Sequence, residues 1–213
     1  MTAGRFISFE GIDGAGKSTH IDTVADWFRA RGALVQLSRE PGGTPVAEAL
    51  RAIVLKEPVG PLTELLLMFA GRRDHVEKVI LPALSVGITL LCDRFTDASF
   101  AYQGGGRGLP LSVLNPLADW VQDGTEPELT LWFDLPPVQA AARRARREMI
   151  AEAADRIEQQ DIDFFERVRA AYAARAALAP QRIVRIDASG TLEQVGQLVL
   201  AALAKRYPEL QPC

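Results

Sequence analysis

Eight residues near the start of the chain, Gly11-Ile12-Asp13-Gly14-Ala15-Gly16-Lys17-Ser18, fit the pattern G-x-x-x-x-G-K-[ST]. Such a turn binds polyphosphate for physical reasons. Its glycines permit dihedrals that aim successive N–H groups at one anion, and the helix that follows adds the positive end of its dipole. Lys17 is then expected at the β- and γ-phosphates, the Ser18 hydroxyl at Mg2+, and Thr19 near the α-phosphate. A glycine-rich strand-to-helix turn with a chance lysine is the alternative, and the apolar run before it and amphipathic run after it disfavour that reading. The turn by itself says only that a nucleoside triphosphate binds.

A phosphate acceptor needs a cationic site of its own at the carboxyl ends of the strands, where ligands sit in open α/β sheets. Two arginines directly follow apolar strand patterns, Arg39 after LVQLS and Arg94 after LLCD. An isolated arginine is usually a surface charge. Two at equivalent positions beside a polyphosphate turn favour phosphate contact through the guanidinium fork. Asp93 closes the LLCD run and is placed to organise Mg2+ through water, as a Walker-B acid does. Phe69 and Arg73 stand four apart in a helical pattern and so share a face. That pair suits stacking on a nucleobase and reading its edge, although spacing alone favours a core Phe69 and a solvated Arg73.

These residues need a sheet to hold them. Apolar, β-branched runs at 5–10, 33–38, 88–93, 129–134 and 182–187 read as five strands. Helical patterns lie between and after them at 18–31, 45–56, 62–84 with a bend near Pro82, 111–122, 137–147, 161–178 and 191–205. Strands alternating with helices predict right-handed crossovers and a parallel sheet covered on both faces. The segment GGGRGLP at 104–110 is the most flexible by composition. Residues 143–160 are dense in charge and alanine, which suits either a helical flap or a solvated helix face.

Composition narrows the classes further. The 213 residues carry a net charge of −3, against nucleic-acid binding, and no apolar segment has the length of a membrane span. Cys92 and Cys213 have neither zinc-site nor disulfide-framework spacing, which points to a reducing cytoplasm. No N-K-x-D tetrad occurs, so a guanine-reading GTPase is disfavoured, and a small-molecule phosphotransferase is expected.

GIDGAGKST, SREPGGT and CDRFTDASFAYQGGGRG, in that order, resemble the thymidylate kinase family, whose members make dTDP from dTMP and ATP. DRIEQQDIDFFERVRAAY and RIDASGTLEQV extend the likeness over essentially the whole chain. The resemblance implies an α/β P-loop NTPase fold in one domain, 1–213, with a five-stranded parallel sheet, flanking helices and a helical lid at 143–160. It assigns ATP to Gly11, Ile12, Asp13, Gly14, Ala15, Gly16, Lys17, Ser18 and Thr19, with Mg2+ at Ser18 and Asp93. Asp13 matches the residue that approaches the acceptor's 3′-hydroxyl, so the donor turn also touches the acceptor. Phe69 is expected to stack on thymine, Arg73 to bond its edge, and Ser99 and Gln103 to contact the base. Tyr102 matches the residue that crowds the ribose 2′ position, and Arg39 and Arg94 the acceptor-phosphate arginines. A related kinase with another base preference and a non-catalytic nucleotide-binding module are the alternatives.

Two positions depart from family patterns. Gly14 stands where the eukaryotic type has an arginine, so the chain resembles the bacterial type, in which lid arginines supply that charge. Arg143, Arg146, Arg147 and Arg156 are the candidates, with Arg147 favoured as the end of the arginine cluster. Ala98 stands where a hydroxyl residue is common, leaving Ser99 alone. The acceptor is already an anion at neutral pH, so neither His20 nor His75 needs a catalytic role. The resemblance also implies a homodimer packed through helices.

Overall fold

In the computed structural model, which describes residues 4–148 and 156–210, the chain order is β1 (Phe6–Glu10), α1 (Lys17–Arg29), β2 (Val35–Arg39), α2 (Pro45–Lys56) and α3 (Pro61–His75). Then come α4 (Leu81–Ser85), β3 (Thr89–Asp93), α5 (Thr96–Ser99), α6 (Leu111–Gln122), β4 (Leu129–Asp134), α7 (Pro137–Glu148), α8 (Ile162–Leu178), β5 (Ile183–Asp187) and α9 (Leu192–Arg206). The five strands form one parallel sheet in the order β2-β3-β1-β4-β5, as the alternating pattern predicts. Cys213 and residues 149–155 of the expected lid lie outside the described residues.

β1 is central and fully buried, with Ile7 and Phe9 against Leu91, Leu131 and Phe133 of its neighbours and Val24 and Phe28 of α1. Apolar side chains on both sides of a strand require helices on both faces, and burying them drives the layers together. The register then positions the chemistry. Phe9 pairs with Asp93, and Asp93 with Arg39, so the ends of β1, β3 and β2 deliver their loops at one level.

Local signals set the helix ends. Thr44 and Asp161 accept a hydrogen bond from the third residue on, and Thr191 with Gln194 closes a capping box. The bend expected near Pro82 is instead a π-helical stretch, Val76–Ile80, joining α3 to α4. Pro82 has no N–H and crowds the carbonyl four residues back, and the Leu81 N–H bonds five back, to Val76.

The expectation of a flexible glycine segment is overturned at its start. Gly104, Gly105 and Gly106 belong to a second π-helical stretch, Phe100–Gly106, that continues α5 and packs along α8. A Cβ on Gly105 would lie 2.5 Å from Ala171 Cβ, and one on Gly106 2.5 Å from the Phe164 ring. Glycine is needed there so that two helices can touch, not so that a loop can move.

Candidate active site

The turn after β1 has the conformation its composition predicts. Gly14 and Gly16 both sit at φ 89°, and Gly16 is the left-handed cap of α1. A Cβ on Gly14 would lie 2.6 Å from the Ala140 carbonyl oxygen, so α7 closes directly on the loop and no larger residue fits. Lys17 is buried, its Nζ donating to the carbonyls of Gly11 (3.1 Å) and Ile12 (3.4 Å). Burial lowers its pKa and Arg94 adds repulsion, while Asp93, Asp13 and Glu10 counter both. An ammonium held this way gains from any phosphate placed in the loop.

Beside it, Asp93 Oδ1 is buried with no hydrogen-bond partner among the described residues. Ser18 is exposed at the first turn of α1. A carboxylate oxygen without a partner and a free hydroxyl are hard oxygen donors, and they fit a Mg2+ ion completed by phosphate and water. Among the described residues no cluster of three or more His, Cys, Asp or Glu could hold a metal without such help.

A cleft of about 620 Å³ opens from the loop toward α3. Asp13 lines both regions. Burial opposes its ionisation, but the charges of Arg94 and Lys17 outweigh that and hold it well below the usual carboxylate range. Arg94 donates to Asp13 Oδ1 (2.8 Å) and to the Gly11 carbonyl (2.9 Å), and its guanidinium lies 4.9 Å from the Tyr102 ring centre. Its backbone takes φ 70°, a left-handed conformation that costs a non-glycine residue about 1–2 kcal/mol. The strained turn after β3 directs the arginine back over the phosphate loop.

At the far end of the cleft stand Arg72, Ser99 and Gln103. Arg72 is held by Glu40 Oε2 (2.8 Å), Ser99 Oγ (3.0 Å) and the Phe95 carbonyl (3.3 Å). Its Nη1 and Gln103 Oε1 are both buried without a partner among the described residues. One wall therefore offers an unused donor and an unused acceptor. Tyr102 reaches toward Asp13 Oδ2 (3.3 Å), and Met68 supplies an apolar surface.

Several expected residues land elsewhere. Phe69 does not line the cleft; it is buried with Leu65, Phe100 and Leu114 behind the wall, its ring under the Arg72 guanidinium at 4.6 Å. Arg73 points away, pairing with Glu77 and the Val121 carbonyl. The residues in the cleft are Met68 and Arg72, the same spacing one position earlier. A helix turns about 100° per residue, so in the stretch MFAGRR one register step decides the face, and the Arg72-Arg73 doublet hides which step is right. Arg39 also leaves the cleft, forming a two-pronged exposed pair with Glu48 at 2.9–3.0 Å. Arg51 of α2 lines the cleft in its place, donating to the Pro41 carbonyl, and it carried no sequence signal beyond being one arginine on an amphipathic helix.

A family model described as thymidylate kinase matches residues 9–199. The chain belongs to the thymidylate kinase family. It is 55% identical over 208 residues to a thymidylate kinase of Verminephrobacter eiseniae, covering 94% of this chain and 91% of the relative. It is 53% identical over 213 residues to that of Albidiferax ferrireducens, covering 96% of this chain and 97% of the relative. A crystal structure of thymidylate kinase from Ehrlichia chaffeensis superposes with a TM-score of 0.76 at 32% identity, covering 95% of this chain and 99% of that one.

Thymidylate kinase membership makes the placement of the lid arginines informative. Arg143 donates to the Ala188 carbonyl (3.0 Å) and passes over Gly16, its Nη1 4.0 Å from where a Cβ would stand. Arg144, which sequence reading passed over, donates to the Asp13 carbonyl (2.9 Å) from a buried position. Arg156 lies at the other end of the site, bonded to the Val54 carbonyl and to Glu64 Oε2 (2.6 Å), so it does not reach the phosphate loop. The backbone of Arg147 lies in α7, and its side chain falls outside the described residues.

Proposed function

We propose that this chain transfers the γ-phosphoryl group of ATP to dTMP, giving dTDP and ADP for dTTP synthesis, within one domain that spans residues 1–213. The observation that favours thymine over cytosine is the unused pair in the cleft wall. Arg72 Nη1 is a donor and Gln103 Oε1 an acceptor. Thymine presents an acceptor at O4 beside a donor at N3–H, the complement of that pair. Cytosine presents the reverse polarity. A site built this way rejects the wrong partner because its buried groups are left unpaired.

The other residues take their parts around that orientation. Met68 packs on the base, Ser99 holds Arg72, and Tyr102 beside Asp13 fills the space a 2′-hydroxyl would need, favouring deoxyribose. Arg94 and Arg51 grip the attacking phosphate. Gly11 through Thr19 cradle ATP, and Lys17 and Arg143 neutralise the oxygens of the moving phosphoryl group. Ser18 and Asp93 would hold Mg2+, which would supply further charge neutralisation. The phosphate nucleophile needs no general base, so rate comes from alignment and electrostatics. Closure of α7 over the loop excludes water, which limits hydrolysis.

A homodimer in the cytoplasm accompanies this reading. Leu62 and Leu66 form an exposed apolar face on α3, Trp120 is exposed on α6, and Cys92 is a buried free thiol, in keeping with a reducing compartment. Among the described residues, no helix is long and apolar enough to cross a membrane. The test is ADP release with dTMP, dUMP, dCMP and dGMP as acceptors. The highest kcat/KM is expected with dTMP. Preference for another monophosphate, or inactivity with all of them despite ATP binding, overturns the assignment.

A further inference from the structure

Gln103 can serve as an acceptor only if its amide is turned one way, and an amide alone has no preference. Something behind it must choose. Glu64, on α3 one turn before Met68, is 1% exposed and faces the other side of the Gln103 amide. It accepts from Gln103 Nε2 at 2.9 Å, and also from Arg107 (3.2 and 3.3 Å) and Arg156 (2.6 Å). Burial would raise its pKa, but the hydrogen bonds from Gln103, Arg107 and Arg156 outweigh it and hold the group below its ordinary value. Glu64 is therefore an ionised carboxylate, which accepts and cannot donate.

We infer that Glu64 is a positioning residue for base selection: by accepting only, it fixes the Gln103 amide so that Oε1 is left for the base. The inference rests on the dTMP assignment and deepens it. To serve a cytosine ring, Gln103 would have to rotate and set Oε1 against the Glu64 carboxylate, losing a bond and opposing two acceptors in a buried site. The penalty falls on the wrong base and not on thymine. Arg156, inside the expected lid range 143–160, donates to the same carboxylate. Buried charge pairs of this kind add little net stability, which suits a role in specificity.

The test compares kcat/KM for dTMP and dCMP in the full-length chain and in Glu64→Gln. A glutamine at 64 both donates and accepts, so Gln103 turns freely. The expected result is a fall of roughly 10- to 100-fold in the dTMP/dCMP ratio, carried mainly by KM. A purely structural role would lower both substrates alike and leave the ratio unchanged, and that outcome overturns the inference. Arg156→Gln is the control, since it removes one donor to Glu64 but leaves the carboxylate and its bond from Gln103 in place, and its ratio should stay within about threefold of the parent. If Glu64→Gln fails to fold because Arg107 is left unpaired, the ratio is measured in Glu64→Gln/Arg107→Gln against Arg107→Gln alone, with the same two readings. Failure of the dTMP assignment is distinct, since it would show in the unmodified chain as a missing dTMP preference.

Discussion

The phosphate loop and the base-reading wall are opposite solutions to recognition. The loop, residues 11–18, is one continuous turn whose binding groups are mainly backbone N–H and a single lysine. The wall draws Arg72 from α3, Ser99 and Gln103 from around α5, and Glu40 from the end of β2, all acting through side chains. Backbone recognition depends on dihedral angles, which glycine spacing specifies locally. Side-chain recognition depends on rotation about a helix axis and on which partner lies behind each group. Arg94 lands in the cleft as its place after β3 predicts, whereas Arg39, at the equivalent end of β2, and Phe69 and Arg73 on α3 do not.

The sharpest way to break this comparison is to remove the one side chain on which the loop depends. Lys17→Met should lower kcat by about 10²–10³-fold while the chain still folds, as loss of one charge-stabilising donor does elsewhere. A kcat within tenfold of the parent, measured at saturating ATP and dTMP, would mean that the backbone suffices. Next in size is Arg72→Met, which removes the donor for the base edge and leaves Glu40 facing only His75 at 2.9 Å. The KM for dTMP should rise about 100-fold with a much smaller change in kcat, the reverse of the Lys17 pattern. Equal losses in both parameters would place Arg72 in the chemistry instead.

Glu10 tests the ground shared by the two regions. It ends β1, accepting from the Phe95 N–H (2.7 Å) and the Tyr172 hydroxyl (2.8 Å), and burial first and Asp97 second push its pKa from 4.5 up to about 8. Folding thus raises its proton affinity. Its contribution to stability is complete below about 4.5 and is lost as the pH rises through about 8. Glu10→Gln should therefore flatten the decline in Tm between pH 5 and about 8.5, and an unchanged slope would show that another group causes it. The smallest effect is expected from Arg39→Ala. An exposed pair with Glu48 is worth roughly 0–1 kcal/mol, and the KM for dTMP should move less than about threefold. A tenfold rise would return Arg39 to the cleft.

Much of the architecture was legible because it follows from short-range patterns. The five apolar runs became five parallel strands, and the helices capped at Thr44, Asp161 and Thr191 begin within a residue of where the pattern places them. The glycines at 104–106 misled because composition cannot distinguish glycine needed for flexibility from glycine needed for contact. Only the position of Ala171 and Phe164 on α8 makes that distinction. Arg51 and Glu64 were invisible for a related reason: each looks like an ordinary charged residue on an amphipathic helix until its neighbours from other elements are in place.

The sequence by itself determined the phosphate loop, the order of strands and helices along the chain and the family, since these rest on dihedral preferences and periodicities that act within a few residues. The tertiary structure alone decided which face of α3 meets the cleft, which lid arginine overlies Gly16, and how Glu64 and Glu40 orient the groups in front of them. Those outcomes depend on packing and on hydrogen bonds between residues more than 30 positions apart, and no local pattern encodes them.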